Sequence, residues 1–187
     1  MSSLRFLFRS KVYKMIKGLR SWSAGVVLAC AGLSSLLGAQ AAPISAPQGK
    51  PILTISGEIT EKNTPDAVQF DRAMLEKIGM VTIETTTPWY KGSMKFEGVP
   101  LDKLMAEVGA KGQHVVAYAL NDYTTEIPME DFSKHHAILA LKRNGEYMPV
   151  RDKGPLFVVY PYDSDPALKS QIYYSRSAWQ VARLVVK

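Results

Sequence analysis

Apolar and polar positions alternate in short runs along most of this chain. Residues 51–59 (PILTISGEI) alternate with a period of two and break near Gly57, which predicts a strand. Residues 71–78 (DRAMLEKI) place apolar side chains at helical spacing and stop at Gly79, which predicts a short helix. Residues 80–84 read as a strand running into a threonine-rich turn before Pro88 and Trp89, and residues 94–96 as a short strand. Residues 98–110 (GVPLDKLMAEVGA) give a helix with Leu101, Leu104, Met105 and Val108 on one face. Strands follow at 114–120 and 125–128 around a turn at Asn121 and Asp122, then a helical turn at 130–135. Strands at 137–142 and 147–150 flank Asn144-Gly145, the pair a type I′ hairpin turn prefers. Residues 155–160 (PLFVVY) read as a buried strand, 165–170 as a helical turn and 181–186 as a last strand.

Strands in hairpins with a few short helices between them point to the α+β class, a mixed β-sheet or barrel. No long helix alternates with the strands as a βαβ repeat would require, and there is no internal repeat.

The beginning of the chain has a different character. Residues 1–41 carry Arg5, Arg9, Lys11, Lys14, Lys17 and Arg20 and no acid, then an apolar run at 24–38, then Ala39-Gln40-Ala41. A basic start, an apolar stretch of this length and an A-x-A site describe a secretory signal peptide, with Met15 as an alternative start. The expectation is a periplasmic protein: signal peptide 1–41, a Pro/Ala linker 42–50, and one domain over 51–187, with no direct membrane insertion of the mature chain. A lipid anchor on Cys30 fits less well, because the apolar run continues past it.

That division changes the meaning of the charge. The formal charge is +6, from 23 Lys and Arg against 17 Asp and Glu. Without the six cations of residues 1–41 the balance is 17 against 17. The basicity belongs to the targeting segment, so nucleic acid is not an expected partner. Cys30 is the one cysteine, so the domain itself has no disulfide, thiolate metal site or cysteine nucleophile.

Candidate chemistry is sparse. His135 and His136 are adjacent, so in an extended segment they point to opposite faces and do not easily ligate one ion with His114. No G-x-S-x-G, P-loop or dinucleotide glycine fingerprint occurs. Arg151-Asp152-Lys153-Gly154-Pro155 reads either as a charged surface turn or as an anion contact with a glycine for close backbone approach. Asn121-Asp122-Tyr123 is a β-turn that could present a carboxylate beside an aromatic ring. Tyr160, Tyr162, Tyr173, Tyr174 and Trp179 crowd the C-terminal part, as core or as a stacking surface for a flat heterocycle.

Four words occur in one order: VTIETTTPW with FEGVPLDKLM, ALNDYTTEIPMEDF, LALKRNGEYMPVRDKGPLFVVYP and SAWQVARLVV. Together, over roughly residues 51–187, they resemble the molybdopterin-binding domain of sulfite oxidase-type oxidoreductases. The resemblance implies the mixed α+β fold of that family and a pterin-shaped cleft. In its catalytic members a cysteine ligates molybdenum in a pattern close to C-x-x-x-W. Four residues before Trp89 stands Thr85, a hard, neutral hydroxyl that does not replace a soft thiolate.

The chain looks like the small, cysteine-less, periplasmic pterin-binding regulators of the group. That resemblance implies no catalysis, no prosthetic group and no molybdenum, with a monapterin- or neopterin-like pterin as bound ligand. It implies as partner the periplasmic domain of an inner-membrane diguanylate cyclase/phosphodiesterase, and so an influence on cyclic di-GMP and biofilm formation. Plates for the pterin are expected from Trp89, Tyr123, Tyr173 and Tyr174. Asn121, Asp122 and Asp152 are expected at its amino-pyrimidinone edge, and Thr85, Thr86, Arg151, Ser175 and Arg176 at its carbonyl or tail. The alternatives are a molybdenum-cofactor oxidoreductase on the same fold and an accessory interaction domain with a vestigial pocket.

Overall fold

The computed structural model describes residues 43–187. The expectations of a signal peptide and of a start at Met1 or Met15 fall outside the described residues. Ten strands and four short helices follow in order: β1 (Leu53–Gly57), β2 (Ala67–Phe70), α1 (Arg72–Ile78), β3 (Val81–Thr87), β4 (Tyr90–Pro100), α2 (Leu101–Glu107), β5 (His114–Ala119), β6 (Thr124–Pro128), α3 (Glu130–Lys134), β7 (Ile138–Arg143), β8 (Glu146–Tyr147), β9 (Phe157–Val159), α4 (Gln171–Arg176) and β10 (Val181–Val186). The class is α+β, as the pattern predicts.

The strands form two open sheets among the described residues; neither closes into a barrel. One has the order β2-β1-β10-β5-β6; the other runs β3-β4-β7-β8, with β9 also paired to β7. Most neighbours are antiparallel, but β10 returns across the chain to lie parallel to β1, pairing Thr54 with Arg183 and Gly57 with Val186. The hairpin reading of the sequence does not anticipate this long-range pair. The alternation that predicted β1 has a direct cause: Leu53 and Ile55 are buried while Thr54 and Ser56 are half-buried. All four residues of the predicted face of α2 are buried.

Three differences from the sequence pattern bear on function. β4 is eleven residues long where only residues 94–96 were expected. It reaches β7 through a register shift at Glu97 and Gly98, and a Cβ at Gly98 would lie 2.3 Å from the Leu139 carbonyl oxygen. β3 continues through all three threonines, so the turn comes at Pro88 and Trp89. α4 has no counterpart among the predicted elements, because its QIYYSR sequence exposes two residues and half-buries four. A helix without a fully buried stripe leaves little periodicity to read.

Residues 43–50, read as a linker, lie against the domain. Ile44 packs on the core. The Asn63 amide donates to the Ser45 carbonyl (3.0 Å). Asp71, nearly buried, accepts from the backbone N–H of Gln48 (3.0 Å) and Gly49 (2.7 Å) with one oxygen. Its other oxygen caps α1 by accepting from Met74 N–H (2.9 Å). These backbone donors, Met74 and Gly49 first, hold its carboxyl below the usual carboxylate range.

A depressed folded-state pKa contributes stability above the unfolded-state value and loses it as pH falls through the folded value. Replacing Asp71 by Asn should therefore lower the urea midpoint at pH 7. The gap between the two proteins should narrow below about pH 4, where the unfolded carboxylate protonates. Urea titrations of both proteins across that range check it; a gap independent of pH would mean the cap acts without its charge.

Candidate functional site

Trp89 is held by the turn that ends β3. The Thr87 hydroxyl accepts from Trp89 N–H (3.3 Å) and Tyr90 N–H (3.2 Å). The indole meets four rings edge-on: Phe157 (5.4 Å between centroids), Trp179 (5.6 Å), Tyr174 (5.9 Å) and Tyr162 (6.3 Å). Such edge-to-face pairs suit the ring quadrupole. Trp179 is brought in by a bridge to Phe157 at the end of the second sheet. The Tyr123 ring lies parallel to Trp179 within 5°, at 6.3 Å, and its hydroxyl donates to the Ser175 carbonyl on α4 (2.7 Å).

These residues enclose a pocket of about 290 Å³ lined by Pro88, Trp89, Tyr123, Gln171, Tyr174, Ser175 and Trp179. Its walls are aromatic. Its polar groups are one amide, the hydroxyls of tyrosines and a serine, and the indole N–H groups of Trp89 and Trp179. No charged side chain lines it. The size is at the lower end of small-molecule sites.

Thr85 and Thr86 are close in sequence but lie outside that lining. Thr85 is fully buried. Its hydroxyl donates to the Thr86 carbonyl (3.3 Å) and accepts from Asp163 N–H (3.0 Å). The Asp163 carboxylate in turn accepts from Thr86 N–H (2.6 Å) and the Thr86 hydroxyl (2.6 Å), and pairs with Lys169 at 2.7 Å. The hydrogen bonds from Lys169 and Thr86 hold the Asp163 carboxyl well below the ordinary carboxylate range.

The charged candidates are also engaged elsewhere. Asp152 forms a two-pronged pair with Arg143 (3.1 and 2.7 Å) and accepts from the Tyr90 hydroxyl (3.0 Å). The Arg143 contact, then Tyr90, keeps its carboxyl low. Burial, then the bond to Asp152, pushes the Tyr90 hydroxyl up to about 12. Asp152 is thus a structural acceptor, and does not present its carboxylate to a ring edge in the pocket. Arg176 donates to buried Asp131 (2.8 Å), which also accepts from the Tyr160 hydroxyl (2.8 Å). Tyr173 bonds His135 through its hydroxyl (3.0 Å). Tyr173 and Arg176 therefore belong to a network away from the pocket lining. Asn121 and Asp122 sit on the exposed β5–β6 turn, with Asp122 in the left-handed region (φ 64°) and Asn121 accepting from Tyr123 N–H (3.2 Å). Arg151 is exposed. Among the described residues no three His, Cys, Asp or Glu side chains gather in a geometry that could hold a metal ion.

Of the twelve sequence candidates the fold brings Trp89, Tyr123, Tyr174 and Ser175 into one pocket. It adds Pro88, Gln171 and Trp179, and beside them Lys153, whose ammonium lies 4.2 Å from the Trp179 ring centroid. Burial lowers the Lys153 pKa. Trp179 stands in the SAWQVARLVV segment and among the aromatics that could stack on a flat heterocycle, yet it is not one of the twelve candidates. Gln171 was hidden with its helix.

Residues 58–163 match the oxidoreductase molybdopterin binding domain family. The chain belongs to that family. No match is found among curated proteins. The family segment includes Pro88, Trp89 and Tyr123, whereas Gln171, Tyr174, Ser175 and Trp179 lie beyond it.

The residues of this chain do not fit the molybdenum group that the family name implies. At the position where the resemblance places a thiolate stands Thr85, its hydroxyl turned inward and bonded on both sides. A neutral hydroxyl is a poor ligand for a soft-site metal. Three of the cations nearby are already paired: Arg143 with Asp152, Lys169 with Asp163 and Arg176 with Asp131.

Thr85→Val should remove the acceptor of Asp163 N–H and loosen the link between β3 and residues 160–163. The expected loss of stability is about 0.5–1.5 kcal/mol, the worth of one neutral hydrogen bond. Chemical denaturation measures it; an unchanged midpoint would mean that water replaces the hydroxyl at no cost.

Proposed function

We propose that this protein is a periplasmic pterin-binding protein without catalytic activity, which senses pterins and regulates a membrane cyclic di-GMP synthase/phosphodiesterase and so influences biofilm formation. The observation that carries the reading is the uncharged aromatic pocket beside a Thr85 buried and bonded where a catalytic relative would hold its metal ligand. Membership of a molybdopterin-binding family supports a pterin as the ring system. The resemblance to the cysteine-less regulators supports the partner and the cyclic di-GMP connection.

A pterin is flat and bicyclic, with an edge that both donates and accepts. Trp89, Trp179 and Tyr123 supply ring faces and edges for stacking. The Gln171 amide can donate and accept at once, which suits the amino-pyrimidinone edge. The hydroxyls of Tyr174 and Ser175 suit a polyol tail. A cationic ligand is disfavoured, because no carboxylate lines the pocket to compensate it.

The family's oxidoreductase character sustains a second reading, a molybdenum-cofactor enzyme. Protein purified from a host that makes the cofactor should contain no stoichiometric molybdenum and should quench or shift pterin fluorescence saturably. Gln171→Leu should weaken binding roughly two- to tenfold, the worth of one neutral hydrogen bond. Trp179→Ala should weaken it more. Thr85→Val should leave affinity within about twofold, because the two bonds from Thr86 to Asp163 still hold the end of β3 against residues 160–163. One molybdenum per chain would replace this reading by the enzymatic one. No saturable signal would leave an interaction domain with a vestigial pocket.

A further inference from the structure

Six large apolar side chains are exposed among the described residues: Val81, Leu120, Tyr123, Tyr147, Val150 and Ile172. Scattered singly, exposed apolar residues mean little. Four of these six, however, gather around the mouth of the aromatic pocket. Leu120 N–H donates to the Gln180 carbonyl (2.9 Å), and the Gln180 amide donates to the Val150 carbonyl (2.6 Å). Tyr123 is bonded to Ser175, whose hydroxyl donates to the Ile172 carbonyl (2.8 Å). Leu120, Val150 and Ile172 are 54%, 49% and 57% exposed and do not line the pocket. A ligand filling about 290 Å³ has no reach to cover all three.

The charge around this rim is lopsided. Arg72 and Arg183 lie over tyrosine rings, and Arg143 and Arg176 are paired with carboxylates. Arg151, next to Val150, has no carboxylate within ion-pair distance among the described residues. Lys153 lies on the Trp179 ring. Asp122 is the acidic side chain of the adjoining turn. Two cations against one acid ask for an acidic counterpart. They fall short of the cluster of four to eight that draws a protein to an anionic membrane. A second copy of this chain would bring the same excess of positive charge.

We infer that Leu120, Val150, Ile172 and Arg151 form a docking surface, at the mouth of the pocket, for an acidic segment of a protein partner that inserts aliphatic or aromatic side chains beside its carboxylates. Tyr123 belongs both to this surface and to the pocket wall. A docked segment would therefore touch a side chain that also lines the pocket. The inference rests on the reading above only in that a protein partner listens to this chain.

The test uses the purified protein and a display library of random linear peptides. The selected peptides are then measured by fluorescence anisotropy on four variants. Peptides pairing Asp or Glu with Leu, Phe or Trp should be enriched. Their binding should fall roughly tenfold in Leu120→Asp, Ile172→Asp and Arg151→Glu, as for loss of an anchor or charge partner. It should stay within about twofold in Val81→Asp, an equally polar change at an exposed site outside the rim. Circular dichroism confirms that the variants fold. Enrichment of no such peptides, or binding that survives Leu120→Asp and Ile172→Asp, would overturn the inference. So would a concentration-dependent dimer, or adsorption to anionic vesicles, abolished by the same variants. Pterin titration of Leu120→Asp and Ile172→Asp separates the two readings: retained ligand binding leaves the pocket standing whatever the peptides do.

Discussion

The exchange of hydrogen bonds between Asp163 and the last threonines of β3 is the contact on which the site depends. Asp163 gives its N–H to Thr85 and receives the N–H and hydroxyl of Thr86. The two segments are far apart in sequence, so this reciprocal set fixes where residues 160–163 lie relative to the end of β3. Trp89 follows from one side of the link and Tyr162 from the other, and their rings meet at 6.3 Å. The aromatic wall is thus assembled by a polar clasp. A clasp of this kind is specific in register, because each donor has one acceptor at the correct distance.

The same clasp occupies the Thr85 hydroxyl. With the Thr85 hydroxyl facing inward, the end of β3 offers its neighbour a satisfied hydrogen-bond pair and no metal ligand. Around it, two carboxylates near the aromatic wall each neutralise a cation at close range. Asp152 takes Arg143 and the Tyr90 hydroxyl; Asp131 takes Arg176 and the Tyr160 hydroxyl. Charges paired in this way stabilise the frame modestly, but they leave the pocket's interior electrically quiet. A ring bound there would be held by stacking and by neutral donors and acceptors.

The sequence makes much of the frame legible. Alternation shows β1, and helical spacing with Asp71 and Gly79 shows α1. Asn144 and Gly145, both with positive φ, show the hairpin turn between β7 and β8. The family words contain Trp89, Tyr123 and Trp179, whereas Tyr174 and Ser175 stand between the last two words. The rest depends on long-range geometry that no local pattern encodes. β2 is four residues long and α4 six, too short for a period to emerge above its surroundings. Asp152 and Arg176 look like ligand contacts in a one-dimensional reading because their partners, Arg143 and Asp131, are not adjacent to them. Arg143 lies across a hairpin and Asp131 on another helix. Gln171 and Trp179 enter the pocket because α4 packs near β6 and because Trp179 bridges Phe157. These are tertiary facts, and the family match ends at residue 163 before either of them.

That division of the pocket has a consequence for how specificity is arranged. The wall supplied by the family segment, Pro88, Trp89 and Tyr123, is apolar apart from the Trp89 indole N–H and one phenol already bonded to α4. The wall supplied by residues 171–179 brings Gln171, Tyr174 and Ser175, which carry most of the groups able to distinguish one heterocycle edge or tail from another. Stacking contributes affinity that is tolerant of ring identity, whereas a hydrogen bond left unmade in a dry site costs more than it contributes when made. On the pterin-binding reading proposed above, affinity for flat rings would come from the family-segment side of the pocket. Discrimination among them would come from the short helix α4. Its exposed face carries Ile172, so the helix that would select the ligand also reaches the outer surface.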